Sequence, residues 1–323
     1  MATIQAAVLQ FPVTMDIAAN LAHLSAAIAA LPPETLAVAP EGTLSGYLPT
    51  PDFVDAIDQV ESRQALETAR SLVAGKRLHL IIGACVAIDD IWRNASFYLG
   101  PDGRLERYDK INLAWSERTR FTAGHDLPVF EIEVGGTPLR LGIQMCREIR
   151  YPEQWRVLAA KGSQVIAYVN NAIGSATGHE VWRAHAISRA AETQRFVLGA
   201  NNAAADQLCP SLIVAPSGKV LAEAAIGDIS VARAELPLGE VSDWILRQAR
   251  EDVVAVTSLG VSVFGQAGFG VQLRLSRKRA LARIMSFRMI AMMASFLGFP
   301  AATMAWYLAP RSGFHRMAET IGI

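Results

Sequence analysis

The sequence predicts a layered α/β domain, and three observations carry that expectation. Short apolar runs of strand length alternate with helical patterns through most of the chain. Turn chemistry punctuates them: Pro101-Asp102-Gly103 and Pro216-Ser217-Gly218 each separate two strand-like runs, as hairpin connections do. Size is not limiting, because 323 residues suffice for one large domain or two smaller ones.

The elements follow in order. The opening Ile4-Gln5-Ala6-Ala7-Val8-Leu9-Gln10 reads as a first core strand, and the apolar spacing of 17–30 as a helix. A short strand over 36–39 ends at Pro40; a helix over 62–74 precedes the strand-like run 78–86. Residues 95–100 form a further strand before the Pro-Asp-Gly turn, and 139–145 another. Pro152 opens a helix over 152–160, strands follow at 164–169 and 196–200 on either side of a helix over 180–194, and 212–215 is the last strand.

Thirty basic and thirty acidic residues leave no overall field to favour nucleic acid. Three cysteines, Cys85, Cys146 and Cys209, lack metal-type spacing and cannot all pair, so neither a disulfide framework nor a zinc site is expected. His179 and His185 miss the i, i+4 spacing of a helical metal pair, and no cofactor is implied. The N-terminus lacks the basic region of a signal peptide, which points to residence in the cytoplasm.

Chemistry concentrates at Cys146. It ends the apolar run Leu141-Gly142-Ile143-Gln144-Met145 and precedes a helical pattern, which places a thiol on a strand-to-helix turn near main-chain N–H groups. Glu41 closes another apolar strand, and Tyr108-Asp109-Lys110 supplies a cation. Bland alternatives stand beside each: a buried structural thiol, a helix N-cap or loop carboxylate for Glu41, a solvated lysine.

Taken with Glu117, Phe121-Thr122-Ala123-Gly124, Tyr151-Pro152-Glu153 and the stretch 186–197, these motifs resemble the nitrilase superfamily of carbon–nitrogen hydrolases over roughly residues 1–255. The resemblance implies a four-layer α-β-β-α sandwich that pairs into a dimer or higher homo-oligomer. It implies Cys146 as nucleophile, Glu41 as general base, Lys110 with the Arg147 N–H as oxyanion donors, and Glu117 as the group orienting Lys110 or water. Glu117 could equally pair with Arg118 or Arg120 at the surface. Asn170, Asn171 and His125 are weaker candidates for the pocket wall, and Arg189, Glu192 and Arg195 read as an ion-pair network on the long helix. Arg147 stands where members acting on nitriles usually carry tryptophan, which shifts the expected substrate to amides. It is a candidate for binding a substrate carboxylate or phosphate, with a salt bridge to Glu148 or Glu153 as the plainer account.

Beyond a connecting arm at 256–273 the composition changes. Six basic residues crowd between Arg274 and Arg288, followed by 21 uncharged residues over 289–309. That length can cross a bilayer, but Gly298-Phe299-Pro300 interrupts it, and basic residues flank both sides. Arg279, Arg283 and Ser286 share one helical face with Leu281, Ile284 and Met285 opposite, and Arg288 breaks the pattern by falling on the apolar side, where it has to snorkel or meet a phosphate. The pattern over 274–323 favours a helical extension lying in the cytoplasmic membrane surface; the alternative is an arm buried in an oligomer. The functional expectation is a membrane-attached, cysteine-dependent amidase acting on small or lipid-like amides. An acyltransferase using the same acyl-enzyme and a catalytically idle scaffold are the competing readings.

Overall fold

The computed structural model describes residues 2–252 except 175–177, 205 and 208. The arm at 256–273 and the extension at 274–323 lie outside the described residues. The strands are β1 (Thr3–Gln10), β2 (Thr35–Val38), β3 (His79–Ile88), β4 (Ile91–Leu99), β5 (Leu105–Asp109), β6 (Val129–Val134), β7 (Thr137–Met145), β8 (Val165–Val169), β9 (Phe196–Ala200), β10 (Leu212–Val214), β11 (Val220–Glu223) and β12 (Ser230–Pro237). The helices are α1 (Ile17–Ala29), α2 (Gln59–Lys76), α3 (Pro152–Ala160), α4 (Gly178–Thr193) and α5 (Trp244–Asp252).

They build two six-stranded sheets, ordered β12-β1-β2-β3-β4-β5 and β11-β10-β9-β8-β7-β6. Each has three adjacent parallel strands, β1-β2-β3 or β7-β8-β9, with antiparallel strands outside them. Period-two alternation distributes the side chains. Ile4, Ala6 and Val8 of β1 join Leu141, Ile143 and Val165 between the sheets, whereas Ala7 and Leu9 turn outward to meet Leu24 and Ile28 of α1 and Ala65, Ala69 and Val73 of α2. On the other side Ile166 and Tyr168 of β8 pack under Trp155 and Leu158 of α3 and Ala186 and Ala190 of α4. The result is the expected four-layer α-β-β-α sandwich. Because both sheet faces are covered, central strands read as unbroken apolar runs.

Helix boundaries have local causes. The Asp58 side chain accepts from the N–H groups of Val60 and Glu61 at 2.8 and 3.0 Å, so α2 starts three residues before the expected 62. Arg77, left-handed at φ 54°, ends it. Strand β4 begins at Ile91 rather than 95, because Asp89 and Asp90 both adopt positive φ and turn β3 directly back on itself. Strands β5 and β11 are the second arms of the hairpins expected at the Pro-Asp-Gly and Pro-Ser-Gly turns, whereas β6, β12 and helix α5 were not distinguished by the sequence pattern. The expected ion-pair network on α4 is only partly formed. Arg189 meets Glu192 at 2.7 Å, but Arg195 turns to Asp243 and to the Ala159 carbonyl.

Candidate active site

Glu41 follows β2, Asn170 and Asn171 follow β8, and Cys146 follows β7, so all stand beyond the carboxyl ends of parallel strands, where open α/β sheets place their ligands. Lys110 follows β5, which two successive antiparallel steps bring back to the direction of β3. The Glu41 N–H donates to the Asn170 carbonyl at 3.2 Å, joining these edges of the two sheets.

Two glycines permit the approach. A Cβ on Gly83 would meet the Glu41 Cα at 2.6 Å, and one on Gly124 would meet the Asp109 carbonyl oxygen at 2.1 Å. Gly124 in turn donates to the Lys110 carbonyl at 2.9 Å, while the Lys110 N–H donates to the Asn94 carbonyl at 2.9 Å. The lysine's main chain is thus held from both sides.

Lys110 is wholly buried, and its Nζ lies 2.8 Å from Glu41 Oε1 and 2.8 Å from Glu117 Oε1. Asn94 Nδ2 donates to the same two oxygens at 2.7 and 2.8 Å, and the Tyr47 hydroxyl donates to Glu117 Oε1 at 2.7 Å. Glu117 Oε2 accepts from the Ala114 N–H. The two carboxylates therefore differ. Both Glu117 oxygens are engaged, whereas Glu41 Oε2 is buried with no hydrogen-bond partner among the described residues. Glu117 is neither at the surface nor paired with Arg118 or Arg120: Arg118 lies over the Trp115 ring and Arg120 pairs with Asp55.

The electrostatics follow that difference. Burial opposes ionisation of Glu117, but Lys110 and the surrounding donors outweigh it and hold the group below the ordinary glutamate range. At Glu41 burial dominates, Lys110 opposes it and the charge of Glu117 adds to it, so this carboxyl is raised. Burial works against the charge of Lys110, yet the two glutamates together raise it well above its usual value. Burial, reinforced by the charge of Glu41 and opposed by Lys110, pushes the Cys146 thiol far up. Burial thus favours the neutral form of the Cys146 thiol, which lies within electrostatic reach of Glu41 and Lys110.

Cys146 begins a single 3-10 turn, Cys146–Arg150, at φ 37°, a left-handed conformation that L-residues avoid. Its Sγ lies 3.8 Å from the Asn171 carbonyl, and its own carbonyl accepts from the Tyr168 hydroxyl at 2.7 Å. Both asparagines are buried. The side-chain amide of Asn170 has no partner among the described residues, and Asn171 meets the site through its main chain. His125 is exposed. Arg147 is half-buried with Nε donating to the Tyr151 hydroxyl at 3.2 Å. The salt bridge to Glu148 is absent, because Glu148 is buried and bonded to four donor groups instead. Asn94, Tyr47 and Glu148 were missed as members of this cluster. For Asn94 the available signal was a polar residue within a strand that otherwise faces a core; Tyr47, in a loop, and Glu148, in the turn after β7, carried no such signal.

No group of His, Cys, Asp and Glu among the described residues is arranged to hold a metal. The groups present are a thiol, a buried carboxylate and a buried ammonium on an α-β-β-α scaffold. That is the constitution of a thiol-dependent acyl hydrolase. Residues 5–246 match the carbon–nitrogen hydrolase family model, and the chain belongs to that family. It is 29% identical over 215 residues to an (R)-stereoselective amidase of a Pseudomonas species, spanning 65% of this chain and 76% of that one. The human omega-amidase is 25% identical over 229 residues, covering 64% and 79% of the two chains. Among solved structures, the carbon–nitrogen hydrolase of Helicobacter pylori G27 superposes with TM-score 0.66 at 21% identity, covering 79% of this chain and 98% of that one. A variant of the amidase from Nesterenkonia sp. AN1, with fluoroacetamide's acetamide moiety covalently added at its active-site cysteine, superposes with TM-score 0.64 at 20% identity, covering 77% and 97%. These structures establish the nitrilase-superfamily fold.

Proposed function

We propose that the protein is an amidase working through a Cys146 thioester. The carrying observation is the asymmetry of the two glutamates: Glu117 is engaged at both oxygens, and Glu41 keeps one buried oxygen unpartnered. Glu41 takes the Cys146 proton as sulfur bonds to the amide carbon. The oxygen charge that develops meets Lys110 and the Arg147 N–H, and each such donor contributes about 3 kcal/mol in comparable sites. Glu41 returns its proton to the departing nitrogen as the C–N bond breaks. Water then adds to the thioester, gives a proton to Glu41 and releases the carboxylic acid, and the thiol regains its hydrogen. Glu117 keeps Lys110 charged and in place. The relatives named as amidases support an amide as substrate.

Asn170, its amide buried without a partner, is suited to hydrogen-bond the substrate amide, with Asn171 beside it. Arg147, next to the thiol, is suited to a carboxylate elsewhere on the substrate, so Arg147→Ala should raise KM for carboxylated amides more than for neutral ones. The basic and uncharged segment over 274–323 supports attachment to the cytoplasmic membrane surface, and an amide carrying an acyl chain would reach the site from there. Among the described residues no helix is long and apolar enough to cross a membrane.

A screen of short- and long-chain amides, following released amine for wild type beside Cys146→Ala, tests the catalytic reading. Turnover by the alanine variant at the parental rate would refute it. A chain ending at 273 should leave the membrane fraction and still hydrolyse soluble amides; continued sedimentation with membranes would count against the attachment.

A further inference from the structure

Glu148 is a buried ionisable group for which the proposed hydrolysis has no use. It lies two residues past Cys146, is fully buried, and accepts hydrogen bonds from the end of β7 in one sheet and from β5 and the loop after it in the other. From the second sheet the Met145 N–H donates to Oε2 at 2.7 Å. From the first, the N–H groups of Ile111 and Asn112 donate to Oε1 at 2.7 and 3.1 Å, and the Tyr108 hydroxyl lies 2.8 Å from both oxygens. Met145 immediately precedes the thiol residue, and Ile111 immediately follows Lys110. One side chain therefore joins the chain leading into Cys146 to the chain leading out of Lys110.

The chemistry at this point is specific. Three of the four donors are main-chain N–H groups that cannot turn away, so only an acceptor-only carboxylate satisfies them all. No cation pairs with Glu148 among the described residues. Filling a core this way is costly compared with an apolar side chain, which argues for a role beyond packing. The restraint also falls where one is needed, since Cys146 holds a left-handed φ of 37° that its own side chain does not favour.

We propose that Glu148 is a positioning residue that sets the placement of Cys146 relative to Lys110 across the two sheets. The inference rests on the reading of Cys146 as nucleophile and Lys110 as oxyanion donor. The full-length chain carrying Glu148→Gln, Glu148→Asp or Tyr108→Phe tests it, with kcat and KM expressed per active site titrated by fluoroacetamide alkylation of Cys146. Glutamine keeps the shape but turns an N–H₂ toward main-chain donors; kcat per titrated site should fall about 100-fold with KM within about threefold, as expected for a displacement near 1 Å. Aspartate, which keeps the acceptor-only carboxylate, should recover at least about tenfold over glutamine, and Tyr108→Phe, which leaves the three main-chain donors, should lose about three- to tenfold.

A purely structural role would lower the number of titratable sites and leave each one turning over at the parental rate. That result in Glu148→Gln, or in Tyr108→Phe if the glutamine variant does not fold, overturns the proposal. Failure of the underlying reading is distinguishable: wild type itself would then resist alkylation at Cys146 and release no amine.

Discussion

At the scale of single residues, the contrast between Glu41 and Glu117 makes two predictions. Glu41→Gln should lower kcat by about 10²- to 10⁴-fold, the range supplied by a positioned base, while leaving Cys146 in place. The pH profile carries a sign. Burial raises the Glu41 carboxyl, and the base works only when ionised, so kcat/KM should fall as pH drops through a midpoint above the ordinary glutamate value. Glu117→Gln removes the neighbouring negative charge and leaves Lys110 nearer to Glu41 alone, so the acid limb should move to lower pH, whatever happens to its height. An acid limb moving upward in that variant would contradict this account of the pair.

The residues to which the chemistry is assigned could be picked out of the sequence because each sits in a short motif: Glu41 after Ala39-Pro40, Lys110 after Tyr108-Asp109, Cys146 after an apolar strand. Their supports were not. Asn94 and Glu148 act through partners 53 and 37 residues away, and nothing along the chain announces such pairings. For Glu117 the neighbouring arginines Arg118 and Arg120 offered a surface explanation, and only burial decides for Lys110.

At the scale of elements, the close approach of Gly124 to the end of β5 is the constraint most easily tested. An alanine there would place a methyl group 2.1 Å from the Asp109 carbonyl oxygen, which is main chain and cannot rotate aside. Gly124→Ala should therefore displace Lys110 and reduce kcat by about 100-fold, more than its cost in folding implies. Activity equal to wild type, measured alongside the melting temperature, would show that the loop adjusts. Helix α2, by contrast, is remote from the chemistry. Asp58→Ala removes the acceptor for two N–H groups and should cost about 1 kcal/mol, with kcat unchanged. In a domain of this size such a loss lowers Tm by about 2–4 °C.

Central strands were legible because both faces are covered, and helices because their apolar stripes face a sheet. The outer strands were harder. In β5, Leu105, Glu106 and Arg107 are exposed or half-exposed and only Tyr108 is buried; β12 likewise alternates half-exposed with exposed positions along most of its length. Strands at or near a sheet margin, with polar residues on one face, resemble loops when read one at a time.

At the scale of the whole molecule, β1 pairs with β12 from Thr3↔Pro237 to Gln10↔Ser230, so the first strand of the domain is completed only by its last. Contacts of that sequence separation delay folding. A chain ending before Ser230 would leave β1 with an open edge and remove Leu236 from the inter-sheet core, and it should be recovered as aggregate rather than as folded protein. Strand order itself could not be read from the pattern. The family resemblance supplied the four-layer α-β-β-α sandwich, which the two sheets and their flanking helices bear out, and the order of strands within each sheet is known from the structure alone.

Glu41, Lys110 and Glu117 hang from one sheet, while Cys146 hangs from the other. The thiol and the carboxylate thus belong to opposite slabs joined by an apolar core and a few cross-sheet hydrogen bonds, those of Glu148 and the Glu41 N–H among them, and a small slip that strained these few bonds would part sulfur from carboxylate without breaking a single strand pairing. Warming or mild urea should silence the enzyme well before circular dichroism registers any loss of helix or sheet.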